Sequence, residues 1–318
     1  MKTLALSLMA VVLAATVNAE EPARPWSKPI PVGTNSLIRS LAFSPNNELL
    51  VVGCDRGVVK VFDDGCPDRL PTHVLEANSY ETKVAVSGDG KKLVVTGCPG
   101  GVSLFDLGTG KKLKAFSLLV FGSFGLSVDG SQMWADDKIY DLTGDIKKLE
   151  PPKTVREFPK AEIRYMNCDG FHEQTVVATL KSLQIWNGAG DKLVREINPG
   201  LAKFAVRSVS SDAKWLVLES SDESKPGLHI WDLALGKPTA TLKVDGACHD
   251  ALITPDGKRL ATNSGKYTVR VWDIATGKET ATLCLSEYYW PMAMAPDGTL
   301  AFTRAGRRIE FHDTSNIR

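Results

Sequence analysis

Short apolar stretches separated by polar turns recur along the chain after its N-terminal apolar segment. In stretches such as LKSLQIWN (180–187) and TVRVWD (268–273), apolar and polar residues alternate with a period of two. This period indicates β-strands, because successive side chains of a strand point to opposite faces of a sheet. No segment carries a long apolar stripe with the period of a helix. The pattern therefore predicts an all-β protein.

Two sequence marks recur at a nearly constant spacing and divide the strands into seven repeats. The first is a polar turn, usually Asp followed by Gly, at Asn46, Asp89, Asp129, Asp169, Asp212, Asp256 and Asp297, in steps of 43, 40, 40, 43, 44 and 41 residues. We interpret these Asp residues as turn formers rather than catalytic carboxylates. The second mark is an aromatic residue or His followed by Asp or Asn, at Phe62, Phe105, Tyr140, Trp186, Trp231, Trp272 and His312.

These repeats resemble those of the WD-repeat (WD40-like) β-propellers. Residues 253–283, ITPDGKRLATNSGKYTVRVWDIATGKETATL, are close to a consensus repeat of that family, and the resemblance covers roughly residues 26–318. The Gly-His dipeptide that normally precedes the first strand of such a repeat is missing throughout. The resemblance implies a seven-bladed propeller of four-stranded antiparallel blades, in an exported member of bacterial type.

The blades should follow the repeats, with one exception at the N-terminus. We expect them at approximately residues 37–77, 81–118, 120–152, 161–200, 201–246, 247–286 and 287–318, the last completed by 24–33. The seventh repeat leaves no room for an outermost strand, so Trp26–Val32 should pair with Arg308–His312 and close the ring. Closure removes an exposed sheet edge that would invite pairing with other chains. The Pro-rich stretch 149–160 is expected to be a long connecting loop with irregular pairing around it.

The N-terminal segment Met1–Ala19 has the parts of a secretory signal peptide. It contains one Lys, an apolar run from Leu4 to Ala15 and small residues before the expected cleavage after Ala19. The apolar run is shorter than the about 20 residues that a membrane-spanning helix needs. A retained membrane anchor is the alternative. We expect cleavage, which leaves residues 20–318 as a single propeller domain without a transmembrane segment, either periplasmic or secreted.

The charge balance and the missing motifs exclude several classes of function. The 38 Lys and Arg residues nearly balance the 37 Asp and Glu residues, which argues against a strongly basic nucleic-acid-binding protein. None of the five His residues has the spacing of a metal site, although His249 lies near the start of an inner strand. The chain lacks a G-x-S-x-G motif and a phosphate-binding loop. We therefore expect no catalytic, cofactor or metal site.

The six Cys residues do not form an obvious disulfide framework. They are Cys54, Cys66, Cys98, Cys168, Cys248 and Cys284. In the predicted blade register, Cys54 and Cys98 hold equivalent places in neighbouring blades, and Cys248 and Cys284 lie on the innermost and outermost strands of one blade. Strands three apart are too distant for a bridge. Buried free thiols are the main interpretation, and some disulfide formation stays open.

Aromatic and basic residues concentrate on one face of the predicted ring. This face gathers the segments that lead into each inner strand and the loops between second and third strands. Interfaces are enriched in Tyr, Trp and Arg. The candidate partner-binding residues are Arg56, Tyr80, Lys181, Lys266, Tyr267, Tyr288, Trp290 and Arg304. For the adjacent aromatics of SEYYWP (286–291), packing between the seventh and first blades is the alternative.

Three functions are compatible with these features. The first is a monomeric, non-catalytic scaffold that binds a protein partner through this face. The second is an extracytoplasmic propeller enzyme, of hydrolase or lactonase type, with its site at the central channel. The inner strands look mostly apolar or hydroxylic, which argues against that alternative. The third is a blade array that acts only within a larger assembly. The first is our prediction, and it depends on the resemblance as well as on the missing motifs.

Overall fold

Each of the seven repeats folds into one four-stranded antiparallel sheet. The computed structural model describes residues 26–33, 37–66, 68–77, 81–97, 101–120, 124–144, 151–158, 163–168, 174–179, 181–187, 192–210, 214–244, 248–264, 268–284, 291–304 and 307–314, with the backbone alone at 163–168, 174, 175, 249, 264, 284 and 304. The prediction of an all-β, seven-bladed propeller is confirmed. No described segment forms a helix that is long and apolar enough to cross a membrane.

The strands follow one another from the inside of each blade to its rim. Blade 1 comprises β2 (Ile38–Phe43), β3 (Leu49–Cys54), β4 (Val58–Asp63) and β5 (His73–Glu76). Blade 2 comprises β6 (Lys83–Val86), β7 (Lys92–Gly97), β8 (Gly101–Asp106) and β9 (Lys112–Phe116). Blade 3 comprises β10 (Phe124–Leu126), β11 (Gln132–Ala135), β12 (Lys138–Asp141) and β13 (Lys153–Glu157). Blade 4 comprises β14 (Ile163–Cys168), β15 (Gln174–Thr179), β16 (Leu183–Asn187) and β17 (Leu193–Ile197).

The remaining blades follow the same order, except that the outermost strand of the last blade comes from the N-terminal segment. Blade 5 comprises β18 (Phe204–Val209), β19 (Trp215–Ser220), β20 (Gly227–Asp232) and β21 (Lys237–Leu242). Blade 6 comprises β22 (Cys248–Ile253), β23 (Arg259–Ser264), β24 (Thr268–Asp273) and β25 (Lys278–Cys284). Blade 7 comprises β26 (Met292–Met294), β27 (Thr299–Arg304) and β28 (Arg308–Asp313), completed by β1 (Ile30–Pro31).

The first strand of each blade is its innermost strand. The first strands of successive blades contact one another around the ring, and β26 contacts β2 to complete it. The seven first strands therefore surround a central channel. The exposed polar residues of β17 and β21 show that the fourth strands lie at the rim.

The hydrophobic core lies between neighbouring blades rather than within one sheet. The second strands are buried along nearly their whole length, as in β3 with the sequence LLVVGC. One core cluster joins Val51 and Val61 of blade 1 to Val84 and Phe105 of blade 2. Burial on both faces explains why the second strands are continuous apolar runs, whereas fourth strands such as β13, β17 and β21 are exposed along most of their length.

The two recurring sequence marks are turns that side chains stabilise. In blade 2, Asp89 accepts hydrogen bonds from the Ser87 hydroxyl at 2.6 Å and from the Lys91 backbone N–H at 3.0 Å. At the second mark, Asp106 accepts the backbone N–H and the hydroxyl of Thr109. These hydrogen bonds hold the pKa of the Asp106 carboxyl below its usual value. The interpretation of the recurring Asp residues as turn formers is confirmed at Asp89, and at Asp129, Asp256 and Asp297, whose carboxylates accept equivalent hydrogen bonds.

The N-terminal segment closes the ring as predicted, through a shorter strand than expected. Ile30 pairs with Ile309, and the backbone N–H of Val32 donates to the Arg307 carbonyl at 3.0 Å. Trp26 lies before this strand and acts through its side chain. The Trp26 ring is buried and packs edge-on against Phe43 of blade 1 and stacked on Phe311 of blade 7. The segment therefore joins the last blade to the first by pairing and by packing.

The expectation of a connecting loop at 149–160 is wrong for residues 153–157. These residues form β13, the outermost strand of blade 3, so this blade extends beyond its predicted end near residue 152. The strand was missed because its rim position leaves it polar, and because Pro residues directly precede it, where no ladder donor is needed. The pairing of this strand has a register shift between Ile139 and Tyr140, but blades 2, 4, 5 and 6 have a shift at the same place, so the irregularity is not special to this stretch.

Candidate functional site at the channel mouth

Two kinds of backbone segment meet on one face of the ring, which we call the upper face. They are the turns between second and third strands and the segments that lead into the first strands. In blade 1, the Asp55 backbone N–H donates to the Leu37 carbonyl at 2.8 Å, and the Leu37 N–H donates to the Asp55 carboxylate at 3.1 Å. In blade 5, the Ser221 N–H donates to the Lys203 carbonyl. The opposite, lower face carries the turns that contain the two sequence marks.

The candidate partner-binding residues within the described part of the chain lie on the upper face. Arg56 is exposed in the turn between β3 and β4, with a backbone φ of 59°. Lys181 is exposed in the turn between β15 and β16, and Arg304 ends β27. These three residues belong to blades 1, 4 and 7, so they share a face without forming one cluster. The other candidates, Tyr80, Lys266, Tyr267, Tyr288 and Trp290, lie outside the described residues.

Four first strands carry charged residues, most of them near the upper end of the strand, contrary to the expectation that these strands are apolar or hydroxylic. Arg39 is in β2, Lys83 begins β6, Arg207 is in β18 and Asp250 is in β22. The expectation holds only for the apolar core of each strand, such as LAF or VAV. In blades 1, 2, 5 and 6, the sequence signal for charge at the channel is the charged residue a few positions before the polar turn. These residues place the candidate site at the upper mouth of the central channel.

At this mouth, an ion pair lies within blade 5, and one of its two residues also contacts blade 6. The Arg207 Nε donates to Glu219 Oε2 at 2.7 Å, and a second guanidinium nitrogen contacts the same oxygen. The other Glu219 oxygen accepts the backbone N–H of Cys248 at 3.1 Å. Both members of the ion pair are largely buried, with side chains 29% and 18% exposed. Glu219 therefore pairs with Arg207 in its own blade and also holds the backbone of the first strand of blade 6.

Asp250 has the most perturbed carboxyl of this region. Burial raises its pKa to about 6, and the Ala251 backbone N–H, together with the nearby Arg207 charge, opposes that shift. The Asp250 carboxylate accepts the Ala251 N–H at 3.0 Å. Across the blade, Asp250 is in register with Asn263, whose side-chain nitrogen has no hydrogen-bond partner within the described structure. A carboxyl that titrates near neutrality therefore lies at the channel.

The Cys and His residues near the channel do not form an activated nucleophile or a metal site in the described part of the chain. Burial raises the pKa of the Cys248 thiol to about 12, with a further contribution from Glu219, so the thiol stays protonated at neutral pH. Cys54, Cys66 and Cys248 are free thiols, as interpreted from the sequence, although Cys66 is only half-buried. Among the described residues, no group of three or more His, Cys, Asp or Glu could hold a metal ion.

His229 of β20 is packed and hydrogen-bonded through both of its ring nitrogens. Its two ring nitrogens lie 3.0 Å from the Lys225 carbonyl and 3.1 Å from the Thr241 hydroxyl. Both contacts lie within blade 5, so His229 is a structural residue. His312 is half-buried, and burial lowers its pKa. The side chain of His249 lies outside the described residues, so its role at the channel stays a hypothesis.

One family model matches the segment that contains the ring-closing strand β1 and the first three strands of blade 1. Residues 28–63 match the WD domain, G-beta repeat family. The resemblance to WD-repeat propellers is thus confirmed for one repeat and for the fold. The matched WD repeat runs from the N-terminal strand β1 through the three inner strands of blade 1. One repeat therefore spans two blades, which is why its first strand completes blade 7.

A solved structure shows the same fold over most of the chain. The β-propeller domain of Cps50 (Swd1) from Myceliophteria thermophila is similar, with a TM-score of 0.70 and 15% sequence identity. The alignment covers 88% of this chain and 99% of that domain. At this identity, the similarity shows a shared fold. No curated protein matches the chain.

Proposed function

We propose that this chain is an exported, non-catalytic scaffold that binds a protein partner through the upper face of its propeller. WD-repeat propellers are commonly protein-interaction scaffolds. The observation that carries the proposal is the upper face itself. Its turns present exposed cations such as Arg56 and Lys181 on a ring that is closed at every blade junction. A rigid disc with exposed polar side chains can bind a partner with little loss of conformational entropy.

Export is supported by the signal-like pattern of Met1–Ala19. N-terminal sequencing of the protein from fractionated cells of the source organism tests it. We expect Glu20 as the first residue, in the envelope or the culture medium. A cytosolic protein that begins at Met1 would contradict export and leave the scaffold proposal unaffected.

Site-specific photo-crosslinking tests the face. A benzophenone amino acid replaces Arg56 or Lys181 on the upper face, and matched controls replace Lys111 or Lys258, which are exposed in lower-face turns. In extracts of the source organism, we expect the two upper-face positions to crosslink to a shared protein and the two lower-face positions not to. Equal crosslinking from both faces would contradict the assignment, and no crosslink at any position would contradict the scaffold function.

The enzyme alternative has one specific observation in its favour, which is the carboxyl of Asp250 with a pKa of about 6 beside Arg207. A carboxyl with a raised pKa can act as a general acid or base near neutral pH. A hydrolase that uses it would cleave activated esters or lactones with a rate that follows this pKa. Asp250→Asn would abolish that rate. A scaffold shows no such activity in either protein.

A further inference from the structure

The first strands of four blades contain a β-bulge, and the extra residue at each bulge is basic. The register shifts lie between Ile38 and Ser40, Ile163 and Tyr165, Val206 and Ser208, and Cys248 and Asp250. The residues skipped by the pairing are Arg39, Arg164, Arg207 and His249. A bulge leaves one residue outside the ladder and re-aims the strand, and bulges are frequent beside functional sites. Three of these bulges lie at the upper end of their strands, whereas the bulge at Arg207 lies opposite Leu218 and Val217 in the middle of blade 5.

Blade 2 adds a basic residue next to one of these bulges without a bulge of its own. Lys83 begins β6, and β6 packs against β2. The Ser40 hydroxyl of β2 donates to the Thr82 carbonyl at 2.8 Å. Because Arg39 precedes Ser40 and Lys83 follows Thr82, this hydrogen bond holds the two basic residues on adjacent strands. Gly53 leaves room for the contact, since a Cβ there would lie only 2.8 Å from the Thr82 carbonyl oxygen.

These two cations have no partner in the described structure. Arg39 is exposed and Lys83 is half-buried, and neither has a hydrogen bond or an ion pair with any described residue. Three acidic residues lie at the same end of blades 1 and 2, and one of them, Glu76, ends the rim strand β5. Asp55 is engaged with the Leu37 N–H, and Glu81 is exposed without an ion pair to either cation. Because no described carboxylate forms an ion pair with Arg39 or Lys83, both cations can still pair with an anion from outside the chain.

The opposite side of the mouth has a different charge. There Arg207 is paired with Glu219, and Asp250 lies close by. The two sides of the mouth therefore differ in pairing: Arg39 and Lys83 have no ion pair within the described residues, whereas Arg207 is neutralised by Glu219 and has Asp250 nearby. A polyphosphate backbone that covered the mouth would meet these acidic groups. A peptide can place a few carboxylates on the basic side alone.

We propose that the upper mouth of the channel binds an acidic peptide segment of the partner protein, with Arg39 and Lys83 contacting its carboxylates. The proposal rests on the proposed scaffold function and gives the chemical class of its partner. Charge-assisted hydrogen bonds from a guanidinium and an ammonium group to carboxylates are stronger than neutral ones. Such contacts favour a partner by charge and orient it over the channel.

Fluorescence anisotropy with two labelled peptides tests this assignment. One is a twelve-residue Gly/Ser peptide with four Glu residues, and the other has Gln in place of Glu. The full chain is compared with Arg39→Gln/Lys83→Gln and with Lys111→Gln/Lys258→Gln, a lower-face pair with the same change in net charge. We expect the Glu peptide to bind and the Gln peptide not to. The channel-mouth variant should lose about tenfold or more in affinity, the control at most about twofold, and added salt should weaken binding.

Several results would overturn the proposal. They are equal binding of the two peptides, equal losses in the two variants, or tighter binding of a twelve-nucleotide single-stranded DNA than of the Glu peptide. Matched thermal unfolding of both variants shows that a lost affinity is not lost folding. The crosslinking positions Arg56 and Lys181 are untouched here. Crosslinks without acidic-peptide binding would therefore overturn this inference alone, whereas a lack of crosslinks would overturn the scaffold function.

Discussion

The junction between blades 7 and 1 and the junction between blades 5 and 6 are packed in different ways. At the junction of blades 7 and 1, blade 7 contributes Ala293, Ala295 and Ala301 to the core, and Trp26 from the N-terminal segment belongs to the same cluster. At the junction of blades 5 and 6, the apolar core contains Leu260 and Trp272, with charged residues above it at the channel.

The difference follows from how the chain reaches each junction. Between blades 5 and 6 the chain is continuous, so nothing has to be brought from elsewhere and charged side chains can be accommodated at the mouth. Between blades 7 and 1 the chain ends meet, and stability there depends on a distant segment that is held by β1 pairing and by the Trp26 ring. The junction of blades 7 and 1 is therefore a latch, whereas the junction of blades 5 and 6 needs none and has an ion pair at its upper edge.

Removing the latch side chain should have the largest effect. Trp26→Ala deletes a buried ring that packs against Phe43 and Phe311, and it also removes the indole hydrogen bond to the Asn47 carbonyl. We expect a loss of about 3–5 kcal/mol in the free energy of unfolding, measured by urea denaturation. Leu235→Ala, at an exposed rim position, is the control and should change it by less than about 0.5 kcal/mol. A similar loss in both variants would contradict the latch.

A smaller effect is expected where blades 5 and 6 meet at the lower face. Gly257 has a φ of +68°, and a Cβ there would overlap the indole ring of Trp215. Gly257→Ala should therefore destabilise the protein by about 2–4 kcal/mol, through backbone strain and overpacking. Gly144→Ala is the matched control, because a Cβ at Gly144 meets nothing within 4 Å. Equal thermal unfolding temperatures for the two variants would show that Trp215 and the turn can move to accommodate the added Cβ without loss of stability.

The smallest effect is expected in the pH dependence of stability, through Asp250 at the junction of blades 5 and 6. Burial raises the pKa of Asp250 to about 6. The folded state therefore binds this proton more tightly than the unfolded chain. The stability that this provides is fully present below the ordinary pKa near 4 and is lost as the pH rises through about 6.

Asp250→Asn removes this dependence. Its free energy of unfolding relative to the unmodified protein should rise by about 2 kcal/mol between pH 4 and pH 7. Asp68→Asn, at an exposed position, should give a flat difference over the same range. A flat difference for Asp250→Asn as well would mean that its carboxyl is well solvated.

The period, the strand type and the turn chemistry were all accessible from the sequence. The Asp turns and the aromatic–Asp pairs are local features, with hydrogen bonds that span only two or three residues, as between Asp106 and Thr109. The strand Lys153–Glu157 was not predicted, because its sequence has no such local signal. An edge strand at the rim needs little apolar content, so its pattern resembles that of a loop.

The candidate site was predicted only as a face. Arg56 and Lys181 could be placed on it because turns between second and third strands must share one side of the ring. The channel-mouth residues Arg39, Lys83 and Arg207 were not recognised. Their position depends on bulges and on contacts between blades, such as the Ser40–Thr82 hydrogen bond between residues 42 positions apart.

The sequence by itself therefore determined a ring of seven similar blades and its N-terminal closure, because alternation and turn chemistry act within a few residues and repeat along the chain. Only the tertiary structure decided that Trp26 packs between Phe43 of blade 1 and Phe311 of blade 7, and that two cations without an ion pair lie on neighbouring first strands at the channel. Strand register and bulges are set by how neighbouring blades pack, and local propensity does not specify them.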